Sequence, residues 1–363
     1  MEMNRFYCHC GSEVFFDNRF CQNCGVALGF DSETLDMIPI EPAREKRYKS
    51  LDLSARSFKL CANGSQFSSC NWVLPADDEN EFCFGCRFNR IIPNQQIIDV
   101  SPPLNHQRWC RLEAAKKRLM YTLLELQVPI RDGWADTENG LLFDFMEDIG
   151  TESDTVASNI ITGYANGVIT INILEADDVA RVSARSALNE RQRTILGHFR
   201  HESGHFLWDR LFKRLPLSSE FKAIFGDPDK DYQKSLNQYY KDGPQADWSS
   251  RFITAYASSH PLEDFAETWN HFLLIFDTVE TAFAHGLTQM KPDIQNLNSS
   301  LDAWNDLVIS LNQLTRSIGI NDAYPFVINK LASQKLNYIA RLVESLHQEA
   351  SVIEPKQIRL YPD

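Results

Sequence analysis

The sequence has no run of the ~18 uninterrupted apolar residues that a membrane helix needs. Residues 1–20 alternate polar side chains with cysteines where a secretory signal would carry an apolar core. A cytoplasmic protein with no membrane partner is therefore expected. Positive charge is scarce: 36 Lys and Arg stand against 49 Asp and Glu, for a net charge of -13. Residues 1–60 hold 8 basic and 9 acidic side chains, so no local excess offsets the deficit. Such a balance repels phosphate backbones, and nucleic acid is not expected as a partner. There is neither an internal repeat nor a low-complexity segment, and no cysteine follows Cys110. Repeat arrays, fibres and an evenly stapled disulfide scaffold are all excluded.

What is present is an ordinary globular composition, 43% hydrophobic and 23% charged over 363 residues, long enough for two or three domains. The cysteines divide it. Eight of the nine precede Arg87, and the stretch 91–105 carries Pro93, Pro102 and Pro103, which neither continue a helix nor donate to a ladder. We place a domain at residues 1–100 and a second at 101–363. The second opens with Trp109, Leu112, Ala115, Leu119, Leu123 and Leu126 at spacings of three and four, which predicts a long amphipathic helix. Residues 141–146 form a short apolar run, and residues 159–174 set strand-like blocks around the turn signal Tyr164-Ala165-Asn166-Gly167. A small antiparallel sheet is expected there. Beyond residue 189 helical patterns take over, through Leu215 and then at 231–241, 251–257, 261–276, 294–318 and 325–350. The fold class is α+β, with the sheet early and the helices late.

In a reducing cytosol the cysteines are not expected to be bridged, and their spacing points to metal. Cys8, Cys10, Cys21 and Cys24 form one set, and Cys61, Cys70, Cys83 and Cys86 another, each closing with a Cys-x-x-Cys knuckle. Four thiolates in a tetrahedron suit a structural zinc, a closed site with no position left for chemistry. Gly11, Gly25 and Gly85 lie beside or inside these pairs, where they would let the backbone turn with positive φ. Cys8 and Cys10 sit one residue closer than the usual knuckle, which makes His9 an alternative ligand. Cys61 and Cys70 are far apart, which implies a widened loop. Cys110 is the thiol left over.

The body carries His201-Glu202-Ser203-Gly204-His205 within TILGHFRHESGHFLWDR. On a helix, residues i and i+4 share a face, so both imidazoles can reach one metal while Glu202 faces the adjoining water. A catalytic zinc normally takes three protein ligands. The third is sought in His260-Pro261-Leu262-Glu263-Asp264-Phe265-Ala266-Glu267, where Pro261 fits the first turn of a helix and places Glu263 and Glu267 on one face. We read Glu263 as the ligand and Glu267 as a support that accepts a hydrogen bond from a ligand imidazole. His260, Asp264 and His271 are rival ligands, and acidic residues at a helix start also meet its dipole without any metal.

The stretches HFRHESGH and YASSHPLEDFAETW, together with CQNCG, CNW and CFGC at the front, resemble a bacterial family of zinc-ribbon proteins with a zinc-dependent metallopeptidase domain. The resemblance runs over nearly the whole chain. Glu263 to Glu267, with Tyr256 seven residues ahead, is also similar to the pattern of lethal-factor-type gluzincins. That resemblance implies a zincin-like domain with Glu263 as third ligand and Tyr256 as hydrogen-bond donor to the developing oxyanion. The implied cofactors are one catalytic and two structural zinc ions. The implied reaction is peptide-bond hydrolysis by a zinc-activated water, with Glu202 as general base and a peptide or protein as substrate. Two other readings share these residues. One is a catalytically silent adaptor that binds a protein partner through its ribbons; the other is a zinc amidase acting on a small molecule or cell-wall fragment.

Overall fold

A computed structural model describes residues 5–52, 56–95, 104–147, 160, 162–187 and 190–352. The chain divides into two compact units. One joins Met1–Glu125 with Arg131–Ser183, and the other joins Leu126–Ile130 with Ala184–Asp363. Pro102 and Pro103 of the expected joint lie outside the described residues.

The first unit opens with a two-stranded antiparallel pair, β1 (Phe6–Tyr7) and β2 (Glu13–Val14), whose hairpin carries Cys8 and Cys10. After Cys21 and Cys24 the chain enters a closed five-stranded barrel, a feature the cysteine spacing does not announce. Its strands are β3 (Ala27–Asp31), β4 (Asp36–Pro42), β5 (Arg47–Ser50), β6 (Ser57–Leu60) and β7 (Trp72–Pro75). The first four pairings are antiparallel, and parallel pairing of Phe30 with Trp72 closes the ring. Ile38, Ile40, Phe58 and Val73 fill it, so burial of their side chains holds the barrel together. The wide interval from Cys61 to Cys70 is occupied by helix α1 (Ala62–Phe67), between the paired strands β6 and β7.

Helix α2 (Phe84–Arg87) and strand β8 (Asn89–Ile91) follow, then helix α3 (Leu104–Glu125). This is the amphipathic helix that the spacing predicts: Trp109, Leu112, Leu119 and Leu123 are fully buried. Strand β9 (Leu142–Met146) matches the apolar run at 141–146. Strands β10 (Gly163–Ala165) and β11 (Val168–Asn172) form the hairpin, turning through Asn166 and Gly167, both at positive φ. The sheet order is β10-β11-β9-β8, and the sheet is mixed. Only the β10–β11 hairpin is antiparallel; β11–β9 and β9–β8 are parallel. The reason is connection length. Parallel neighbours need a long crossover, and α3 supplies one between β8 and β9.

Helix α4 (Asp178–Ala187) carries Asp178 in its first turn, and Arg108 forms an ion pair with Asp177 just before it. In the second unit come α5 (Ile195–Arg210), α6 (Phe221–Ile224), α7 (Tyr232–Asp242), α8 (Trp248–Arg251), α9 (Pro261–Ala284), α10 (Leu297–Ser317) and α11 (Lys330–Val352). The expected helix at 251–257 is replaced. Helix α8 ends at Arg251, Phe252 is extended and buried with Ile253, and a single 3-10 turn spans Tyr256–Ser258. The apolar spacing there reflects anchors of a packed loop, not a helix face. Helix α9 is the centre of this unit, packed on α5, α10 and α11 with Phe265, Trp269, Phe272 and Leu273 buried. Among the described residues, no helix is long and apolar enough to cross a membrane.

Candidate metal centres

Helix α5 starts where Thr194 caps it, its hydroxyl accepting from the Gly197 amide at 2.9 Å, and it buries Phe199, Phe206 and Leu207. Those contacts turn His201 and His205, one turn apart, towards α9. Helix α9 starts with His260 as cap and Pro261 in its first turn, which brings Glu263 and Glu267 to the face that meets α5. The two helices touch closely at Gly204. A Cβ there would stand 3.0 Å from the Ala266 Cα and 3.1 Å from Trp269 Cδ1. Gly204 lies between the two histidines and Ala266 between the two glutamates, so this crossing sets the distance across the site.

The result is a compact donor set. One ligand atom each from His201, His205 and Glu263 lies within 4.8 Å of the others. His205 Nε2 is 3.2 Å from His201 Nε2, Glu263 Oε2 is 3.0 Å from His201 Nε2, and Glu263 Oε1 is 3.4 Å from His205 Nε2. Bonds of 2.0–2.1 Å to a tetrahedral zinc imply edges of about 3.3 Å, so the set fits that ion. His201 Nδ1 faces Glu267 Oε1 at 2.7 Å. A proton held on Nδ1 by that carboxylate leaves the Nε2 lone pair directed at the metal position. Glu202 is half-buried on the same helix turn.

Electrostatics agree with a site built for a cation. Burial opposes charge on both partners, yet Glu263 is held well below the usual carboxylate range by the charge of His205 and the bond from His201. For His201 burial is likewise outweighed, and hydrogen bonds to Glu263 and Glu267 hold its pKa well above the ordinary histidine value. The Tyr256 ring lies 6.0 Å from that of His201, and burial, then the charge of Glu263, push its phenol up, so it keeps its proton for donation.

The rival ligands point elsewhere. His260 Nδ1 accepts from the Leu262 amide, and its Nε2 donates to the Lys230 carbonyl, each at 3.1 Å. Asp264 forms a buried ion pair with Lys335 at 2.6 Å. His271 Nδ1 meets the Tyr324 hydroxyl at 2.8 Å.

In the first unit both cysteine sets converge, each with its four sulfurs within 4.8 Å. The Cys8–Cys24 and Cys10–Cys21 sulfurs are 3.6 and 3.7 Å apart, and those of Cys70 and Cys83 are 3.6 Å apart. Zn–S bonds of 2.3 Å imply edges of about 3.8 Å, so tetrahedral zinc suits both sets. The His9 ring sits against the Cys8 sulfur at 3.4 Å, and Cys10 keeps its place in the set. Gly11 (φ +81°) and Gly25 (φ +74°) turn as expected. Gly85 does not: it lies inside α2, so its backbone is helical. The second set is buried, and Lys117 of α3 donates to the Ser69 carbonyl beside it at 3.1 Å.

A family profile described as "Putative zinc-binding metallo-peptidase" matches residues 105–342, and one described as a zinc-ribbon domain matches residues 5–97. An uncharacterized protein of Mycobacterium bovis and one from each of two Mycobacterium tuberculosis strains are 34% identical over 353 residues, covering 95% of this chain and 96% of each relative. The chain belongs to this zinc-binding metallo-peptidase family. No solved structure matches.

For this metallo-peptidase chain, the sequence reading missed one group of residues at the centre. Tyr232, Tyr239 and Tyr240 come from α7. Tyr232 donates to Glu263, and Tyr239 packs edge-on against Tyr256 at 5.7 Å and against Tyr240 at 5.6 Å. The available signal was three tyrosines in an eleven-residue helix whose one aliphatic residue is Leu236.

Proposed function

We propose that this metallo-peptidase family member hydrolyses peptide bonds at one zinc held by His201, His205 and Glu263, with two further zincs serving structure in the cysteine sets. The observation that carries the reading is the meeting of these three donors with Glu202 on the same helix turn and Glu267 orienting His201. A zinc ion held there would supply Lewis acidity, polarising a carbonyl and acidifying a water towards a pKa of about 7. Glu202 would accept the proton of the attacking water and hand it to the leaving amine. Tyr256, kept protonated, would donate to the developing oxyanion, a contribution of about 3 kcal/mol. A cytoplasmic setting suits the thiols, which are all unbridged.

Glu202→Gln keeps the donors and removes the base. It should retain its zinc and lose about 10²–10⁴-fold in cleavage of a peptide library. Undiminished cleavage would overturn the role of Glu202.

A protein partner is favoured by one observation at the first cysteine set. Phe15 and Phe20 are each 62% exposed there, and aromatic side chains are common anchors of interfaces. We read them as contacts for a protein substrate. Phe15→Ser with Phe20→Ser should slow cleavage of a protein substrate and leave a short peptide unaffected; equal rates on the protein would remove this role.

A further inference from the structure

Helix α7 is held in place by something other than the hydrophobic core. Its eleven residues, YQKSLNQYYKD, include none that is buried, and the chain turns at positive φ through Gly226 before it and Gly243 after it. Its apolar stripe, Tyr232, Leu236, Tyr239 and Tyr240, has a single aliphatic member and leaves little to dock the helix by burial alone. Its tyrosines take over that task. The Tyr232 ring meets His260 edge-on at 5.1 Å, Tyr239 packs edge-on against Tyr256 and Tyr240, and the Tyr232 hydroxyl donates to Oε1 of Glu263.

The bond to Glu263 removes a specific freedom. The last torsion of a glutamate is broad and nearly two-fold, so burial fixes where this carboxylate sits but not how it is turned. Oε2 faces His201 and Oε1 faces His205. Among the described residues, Tyr232 is the one hydrogen-bond donor to Glu263 that is not itself a candidate ligand.

We propose that Tyr232 is a positioning residue of the metal centre: its hydroxyl sets the orientation of the Glu263 carboxylate and thereby raises the affinity of the site for zinc. The inference rests on the reading of His201, His205 and Glu263 as ligands. Groups that orient a ligand typically contribute 10–100-fold in metal affinity.

The test is zinc competition against a chromogenic chelator in the full-length protein, comparing wild type, Tyr232→Phe and Glu263→Ala. The visible spectrum of the cobalt(II)-loaded site is the second readout. The Phe variant loses one oxygen from a ring that is 41% exposed, and zinc retained by the cysteine sets reports that the fold stands. Tyr232→Phe should bind zinc about 10–100-fold more weakly and shift the cobalt bands, with a larger loss in Glu263→Ala. Wild-type affinity and spectrum in Tyr232→Phe, beside a weakened Glu263→Ala, would overturn the role of Tyr232 and leave the ligand set standing. Wild-type affinity in Glu263→Ala would overturn the ligand set, and the role of Tyr232 with it.

Discussion

Gly204 shows how a single position controls the geometry of the histidine site. Its missing side chain lets α5 and α9 approach until Glu263 comes within hydrogen-bond distance of His201. The nearest atom that a methyl group would meet is the Ala266 Cα, which belongs to the backbone and cannot rotate away. Gly204→Ala should therefore force the helices apart, lowering stability by about 1–3 kcal/mol in denaturant unfolding and weakening zinc binding as well. Unchanged stability would mean that the two helices slide past the added methyl. Trp269 reinforces the crossing, since its indole N–H donates to the Ser203 hydroxyl at 3.0 Å, and that hydroxyl donates to the Arg200 carbonyl at 2.7 Å. The residues flanking the motif thus pin the helix that bears the ligands.

Among the elements, α3 has the widest reach. It is the crossover between β8 and β9, and its Lys117 is buried beside the second cysteine set. Burial disfavours the ammonium, but the charges of Cys70 and Cys86 outweigh it and raise its pKa. Four thiolates around one dication leave excess negative charge in a buried site, and Lys117 offsets part of it. Lys117→Met should release zinc from this set at a chelator concentration about tenfold lower than wild type requires. Equal release would show that the charge is satisfied without it. The elements also explain what the sequence could reveal. His201 and His205 lie one turn apart, and Pro261 marks the start of α9, so local periodicity suffices to find the donors. The cysteine knuckles are local in the same way. The barrel is built from strands of four to seven residues joined by long-range pairing, closed by Phe30 and Trp72, which are far apart in sequence. One of the two parallel pairings depends on β8, three residues with no alternation to mark them. Tyr232 precedes Glu263 by 31 residues, and only the folded chain joins them.

For the molecule as a whole, three donor sets lie among the described residues, and under the proposed function each would hold a metal ion of its own lability. The two all-cysteine sets each bring four donors together and the histidine site three, so on the proposed reading a zinc at the latter would keep a position open for chemistry. The metallo-peptidase match spans residues 105–342 and the zinc-ribbon match residues 5–97, and the similarity to the mycobacterial relatives runs over 95% of the chain. On the proposed reading, His201, His205 and Glu263 hold a zinc ion distinct from those of the cysteine sets. The most direct measurement is the zinc content per chain of the purified wild type beside that of His201→Ala. Three are expected in the wild type and two in the variant; equal contents in the two proteins would rule out a zinc ion at the histidine site.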